Sequence, residues 1–195
     1  MVKLTRVEDA AAYGGGLLTG ERVRLRPLHA DDLDVFERWW EDPAWMVLQQ
    51  VMVRPAPVGR ARELFTRWSA NTTPGSVGFS VTDADGVLVG HVTLYGAELP
   101  ERAATLAVVV APDRVGEGLG PDAVRVMLRY GFREMGLNRI ELTVWEFNTR
   151  AVRAYAKCGF VMEGRRRQAV HHDGRFHDQI IMSVLASEWE AARGG

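Results

Sequence analysis

The segment "APDRVGEGLGPDA", residues 111–123, carries three glycines at alternate positions, Gly116, Gly118 and Gly120. An apolar run, Leu106 to Val110, stands before it, and helical spacing follows it. Glycine weakens the interior of strand and helix alike, so glycines gathered at such a junction point to backbone that something approaches closely. Successive N–H groups at a helix N-terminus form a positive concavity suited to phosphate, and side chains there would block the approach. Pro121 is compatible with the first helical turn, where its missing N–H is an orphan anyway. A merely flexible turn is the alternative, and the place between an apolar strand and a helix favours phosphate over it.

The type of phosphate ligand is narrowed by spacing. No Gly-Lys-Ser/Thr follows, which excludes a Walker loop. Gly118, Gly120 and Ala123 fit G-x-G-x-x-A, the dinucleotide pattern, and Glu141 stands at about the distance of a ribose-binding carboxylate. Against this, Ala111 to Glu117 separate Val110 from Gly118, the loop follows several strands, and Glu141 falls in mid-strand. A nicotinamide-dependent oxidoreductase is therefore the weaker reading.

Other residues invite chemistry and have plainer explanations. His171, His172 and His177 lie among acids, yet adjacent histidines on a strand face opposite sides, and Asp173-Gly174 reads as a hairpin tip. No metal site is expected. Arg165, Arg166 and Arg167 alternate across a strand and read as solvated. Trp39, Trp40 and Trp45 are candidates to wall an acceptor pocket, or to fill the core. Cys158 has no His-Asp partners and reads as a small buried residue.

The elements that must position these residues follow from periodicity. "ERVRLRPL" reads as a first strand, "HADDLDVFERWWEDP" as a helix ended by Pro43, and "GRARELFTRWSA" as a second helix. From residue 77 the period changes to two: "SVGFSVTD", a turn, then "VLVGHVTLYG". "RAATLAVVV" is a strand too apolar to lie at an edge. After the glycine loop Val124, Leu128 and Met135 keep helical spacing to Gly136. "RIELTVW" alternates, with Ile140, Leu142 and Val144 inward. A short helix begins at Asn148 and ends at Gly159, and "FVMEGRRRQAV" with "HDQIIMSVL" forms a last hairpin. Residues 1–17 read as a flexible leader, 18–190 as one α+β domain and 191–195 as a tail.

Bulk properties exclude several classes. The 195 residues suffice for one well-filled core, and a formal charge of −1 gives no general attraction to nucleic acid or anionic membrane. The single cysteine excludes an internal disulfide and fits a reducing cytoplasm. No stretch reads as a signal peptide or a membrane span.

Four blocks in order resemble the GNAT superfamily of N-acetyltransferases, and most nearly its branch acting on N-termini of ribosomal proteins. "VAPDRVGEGLGPDA" is similar to the family's acyl-CoA pyrophosphate loop, at Val110, Pro112, Gly116, Gly118, Gly120 and Asp122. "NTRAVRAYAKCGFVMEGRRR" matches its Asn, Tyr, Lys, Gly-Phe and Glu-Gly spacing at Asn148, Tyr155, Lys157, Gly159, Phe160, Glu163 and Gly164. "DGRFHDQIIMSV" resembles the closing hairpin, and "ERVRLRPLHADDLD" the opening strand and helix. The likeness spans residues 18–190. Val115, Gly120 and Ala151 depart from the family's common choices.

The resemblance implies a mostly antiparallel twisted sheet of about seven strands with a V-shaped split, flanked by about four helices. It implies acetyl-CoA as co-substrate, paired with backbone at Val108, Val109 and Val110 and held by residues 114–120: Arg114, Val115, Gly116, Glu117, Gly118, Leu119 and Gly120. Asn148 would bond the pantetheine arm or cap its helix. Tyr155 would be the general acid toward the thiolate, or a core aromatic. The acceptor would be a primary amine, from a protein N-terminus or a small molecule, and a homodimer is compatible. The strand before the loop offers Thr105 and no acid, leaving Glu98, Glu101, Glu163, His177 and Asp178 as candidate bases. A catalytically weak acyl-CoA-binding module is the alternative. Deprotonating a lysine-type amine near neutral pH costs roughly 4 kcal/mol, an α-amine under roughly 1 kcal/mol, so the missing acid leans toward an α-amine.

Overall fold

The computed structural model describes residues 4–50 and 52–194. Its elements are α1 (Val7–Leu17), β1 (Val23–Arg26), α2 (Asp32–Glu41), α3 (Pro43–Gln49), α4 (Arg60–Trp68), β2 (Val77–Asp83), β3 (Leu88–Tyr95), β4 (Ala103–Val110), a 3₁₀ turn at Pro112–Arg114, α5 (Leu119–Arg133), β5 (Arg139–Trp145), α6 (Thr149–Lys157), β6 (Val161–His172), β7 (Arg175–Leu185) and α7 (Ala186–Gly194). The strands form one sheet in the order β1-β2-β3-β4-β5-β7-β6, antiparallel except where β4 meets β5. No described helix is long and apolar enough to cross a membrane.

Both faces of the sheet are covered in its first half. On one face α5 buries Val124, Met127 and Leu128 against Leu94, Leu106 and Ile140. On the other, Phe36 of α2 stacks on Phe65 of α4 with ring centres 4.4 Å apart, and Val109 joins them. A strand covered on both faces is buried on both, even where its sequence alternates. Accordingly β2 is buried from Val77 through Thr82, whereas β5 keeps the expected alternation, with Ile140, Leu142 and Val144 inside. His91 on β3 lies in the aromatic layer, its Nε2 2.8 Å from Ser69 Oγ, and burial pushes its pKa down to about 3, so it stays neutral.

Three helices differ from expectation. Pro43 does end α2, but it also opens α3 as its first residue, because the position needs no N–H and Asp42 caps it by accepting from Ala44 N at 2.9 Å. The stretch expected as a leader is mostly α1, despite Gly14, Gly15 and Gly16. Tertiary contacts overcome the low glycine propensity: Leu17 is buried, its carbonyl accepts two bonds from Arg129, and Tyr13 Oη donates to Glu134. Likewise α7 runs through most of the expected tail, with Trp189 packed on Phe132 at 5.4 Å.

Asp122 ties the start of β1 to α5. Only 2% exposed, it accepts from the backbone N–H of Arg22 at 2.7 Å and of Val23 at 3.1 Å. Asp122→Ala strands both donors beneath the helix, and the expected loss is about 2–4 kcal/mol of stability. Urea denaturation measures it; a loss under about 0.5 kcal/mol would show that water replaces the carboxylate.

Candidate active site

β4 and β5 are paired at three positions only, ending with Thr105 beside Glu141. Beyond that point they part, while β4 stays on β3 as far as Val110 and β5 stays on β7 as far as Trp145. The split opens a cleft of about 650 Å³. Leu106, Val108 and Val110 form one wall, Thr143, Val144 and Trp145 the other, and the glycine loop and α6 close one side.

The antiparallel ladder decides what the β4 wall offers. Ala111 N donates to Val89 O at 2.9 Å, so by the alternation of such a ladder Val109 and Ala107 also bond to β3. Val108 and Val110 therefore turn their N–H and C=O toward the split. Val109 offers neither group there, and its side chain packs with Phe36 and Phe65 on the far face. Of the three expected backbone contacts, two lie in the cleft and Val109 does not.

The glycine loop has the expected form. Gly116 and Gly118 hold φ of +102° and +82°, in the left-handed region where a side chain brings strain. Gly118 is the N-cap of α5 and provides no side chain to bond the first-turn amides of Leu119 and Gly120. Those donors face a cleft also lined by Val115, Gly116 and Pro121, so the residues present fit a pyrophosphate. A Cβ on Gly120 would approach Val110 Cγ2 to 3.1 Å, which explains a glycine where the loop passes the strand end.

Charge is arranged differently from expectation. Arg114 reaches the cleft, but its Nε donates to both carboxylate oxygens of Glu117, at 2.8 and 2.9 Å, and Nη1 to Asp83 at 3.2 Å. Two carboxylates balance its charge. Glu117 is correspondingly turned to Arg114 and does not line the cleft. Arg150, Arg153 and Lys157 supply a different cationic row: all three line the cleft from α6, three and four residues apart and hence on one helix face. Arg22 adds a fourth cation, with its Nε 3.5 Å from where a Cβ on Gly118 would sit. None of these four was expected in the site from sequence, Lys157 having been noted only for its match to the family's spacing, although the 150/153/157 spacing was legible.

Asn148 caps α6 by accepting from Ala151 N at 3.2 Å and also lines the cleft, so both expected roles are compatible. Tyr155 lines the cleft as well and packs against Phe160 at 5.9 Å. Burial, and secondarily the nearby Cys158 thiol, pushes its phenol up to about 12. Cys158 is buried, with Sγ 3.4 Å from Pro121 O, and burial raises its thiol too, against a role as nucleophile.

No candidate base lines the cleft. Glu163 accepts from Arg139 and from Ser183 Oγ, and the guanidinium holds it down to about 2. Asp178 accepts from Gln168 N at 2.9 Å, and His177 Nδ1 lies 3.4 Å from Glu146. Among the described lining residues there is no Asp, Glu or His. His171, His172 and His177 do not gather with acids into a ligand group among the described residues.

The split is open to both faces of the sheet. On the α5 and α6 side stand the glycine loop and the cations. Odd-numbered residues of β4 and β5 point the other way, and there Thr105, Ala107 and Thr143 meet Tyr95 and the α3 residues Trp45, Leu48 and Gln49. Trp45 is thus the wall residue among the early tryptophans, while Trp39 and Trp40 pack on the Phe36–Phe65 cluster.

A family model described as an acetyltransferase (GNAT) domain matches residues 22–161. The chain belongs to this GNAT acetyltransferase family. Acetyl-CoA is the co-substrate of such enzymes. YdaF of Bacillus subtilis strain 168, provisionally named a ribosomal N-acetyltransferase, is 29% identical over 56% of this chain and 60% of its own length. The spermidine N(1)-acetyltransferase of Vibrio cholerae is 33% identical over 57% of this chain and 64% of its own. The chain thus matches less than two thirds of either relative. A crystal structure of the Vibrio cholerae spermidine N-acetyltransferase with CoA and spermine superposes with a TM-score of 0.76 at 27% identity, covering 86% of this chain and 98% of that one. The seven-stranded, mostly antiparallel sheet with its split is the GNAT fold.

Proposed function

We propose that this protein is an acetyl-CoA-dependent N-acetyltransferase that passes the acetyl group directly to a primary amine. The split between β4 and β5 carries this reading, because its two faces differ in chemistry: cations and backbone donors on one, neutral and aromatic groups on the other. Acetyl-CoA enters from the α5 and α6 face. The amides of Gly116 to Gly120 hold the pyrophosphate, and Arg22, Arg150, Arg153 and Lys157 balance its charge. The pantetheine arm pairs with Val108 and Val110, and a backbone N–H of this wall donates to the thioester carbonyl oxygen as charge develops. The neutral amine nitrogen attacks the carbonyl carbon from the opposite face, the C–S bond breaks, Tyr155 gives its proton to the departing sulfur, and the proton shed by the acetylated nitrogen passes through solvent to restore the phenol. A phenol at about 12 is fully protonated at neutral pH, as an acid must be. The reading places the protein in the cytoplasm, where Cys158 stays reduced.

The lining also bears on the acceptor. A polyamine carries several positive charges, and the described cleft offers no carboxylate to meet them. With no acid or imidazole to take a proton, the favoured acceptor is an amine largely neutral near pH 8, an α-amine of a peptide or a comparable small monoamine. Release of CoA thiol from acetyl-CoA, followed with Ala- and Ser-initiated peptides, simple monoamines and spermidine, tests this. The expected kcat/KM for the favoured α-amines exceeds that for spermidine by about tenfold or more. A preference for spermidine would overturn the acceptor assignment, and CoA binding without turnover on any amine would make the protein an acyl-CoA-binding module.

A further inference from the structure

A second cavity, of about 260 Å³, lies at the other end of α5 from the glycine loop and is bounded by Ala12, Tyr13, Gly16 and Leu17 of α1, Arg129 and Arg133 of α5 and Arg193 of α7. Three arginines therefore border one small space. Each is held in place by something other than an acid. Arg129 donates Nε and Nη2 to Leu17 O, at 3.1 and 2.9 Å, and Nη2 again to Thr19 O at 2.7 Å. Three of its five N–H groups are thus used, and both hydrogens on Nη1 remain. Arg193 and Arg133 lie against the Trp189 ring, 4.8 and 5.7 Å from its centre. Stacking fixes a guanidinium plane and leaves its N–H edge open.

Like charges so arranged repel. Burial first, then the charges of Arg193 and Arg133, push the Arg129 guanidinium below its ordinary value. No carboxylate pairs with any of the three among the described residues; the adjacent Glu134 accepts from Tyr13 Oη. A basic end to a helix is favourable by itself, but the half charge of the helix C-terminus does not balance three cations. An anion does.

We propose that this cavity binds the phosphate group of a small soluble phosphomonoester, at a site separate from the acetyl-transfer cleft. The dianion accepts from Arg129 Nη1 and from the open edges of Arg133 and Arg193, the fork geometry that guanidinium offers phosphate. A volume near 260 Å³ admits a phosphate with a few carbons and falls short of a nucleotide-sized pocket. Occupancy fastens α1 and α7, the first and last helices, to α5.

The test uses the whole protein saturated with CoA, so that the cleft's own phosphate donors are filled. Inorganic phosphate and glycerol 3-phosphate are titrated at constant ionic strength against chloride and glycerol, with heat of binding and melting temperature as readouts. Both phosphates are expected to bind saturably and to raise the melting temperature by several degrees, since a ligand specific for the native state stabilises it. Arg193→Gln and Arg133→Gln, which leave the Arg129 contacts with α1 intact, are expected to weaken phosphate binding at least tenfold with CoA affinity unchanged. Arg150→Gln in the cleft is expected to leave this binding unaltered. Absence of saturable binding under CoA, or equal binding by Arg193→Gln and Arg133→Gln, would overturn the site, whatever the outcome for acetyl transfer.

Discussion

Tyr155→Phe is expected to lower kcat for acetyl transfer by about 10²-fold or more while leaving CoA affinity within about twofold. General acid catalysis by a positioned side chain contributes about 10²–10⁴-fold. Phe keeps the ring that packs on Phe160 and deletes only the proton donor, so folding and donor binding are spared. The pH profile provides a second check. A phenol pushed up to about 12 keeps its proton throughout the stable range and loses it only above that value. The wild-type kcat profile should therefore show no falling alkaline limb below about pH 10. Its rising limb reports the acceptor amine, whose neutral form grows as pH increases through the amine pKa. Thiol release measured from pH 6 to 10 with the wild type and Tyr155→Phe decides the matter. Undiminished turnover in Tyr155→Phe would leave Tyr155 as a packing residue and transfer the acid role to solvent.

Gly118→Glu is expected to raise the dissociation constant for CoA by about 10²-fold or more. Two effects combine. The residue holds φ at +82°, so any side chain brings strain of about 1–2 kcal/mol. The new carboxylate then either points at the pyrophosphate or pairs with Arg22, whose Nε is 3.5 Å from the new Cβ. Both outcomes remove positive potential from the loop. Gly118→Ala separates the terms, since it carries the strain without the charge, and its affinity should fall between those of the wild type and the Glu variant. Titration calorimetry with CoA measures all three, with melting curves to confirm folding. Wild-type affinity in Gly118→Glu would mean that the loop does not carry the pyrophosphate.

Residue order alone specified a good part of this. Period-two and helical spacing placed the strands and the helices next to the loop, because those elements bury one face and alternation survives in them, as in β5. Alternate glycines before a helix announced a tight loop with positive φ at Gly116 and Gly118, because that backbone geometry is a local property. Where two elements act on one residue, the sequence was silent. Val108, Val109 and Val110 are equivalent as text, and only pairing with β3 turns the first and third toward the split and the second away. Arg114 looked like the loop's cation, yet Asp83, thirty-one residues back in the chain, shares in balancing it. Arg150, Arg153 and Lys157 became one cationic side of the cleft only when α6 was set beside the loop. The same holds for α1, a glycine-rich run that becomes a helix through its contacts with Arg129 and Glu134. The sequence by itself determined the glycine loop at the start of α5 and the family, since both rest on short-range patterns. The tertiary structure decided which backbone groups and which charges face the cleft, since those depend on partners distant in the chain.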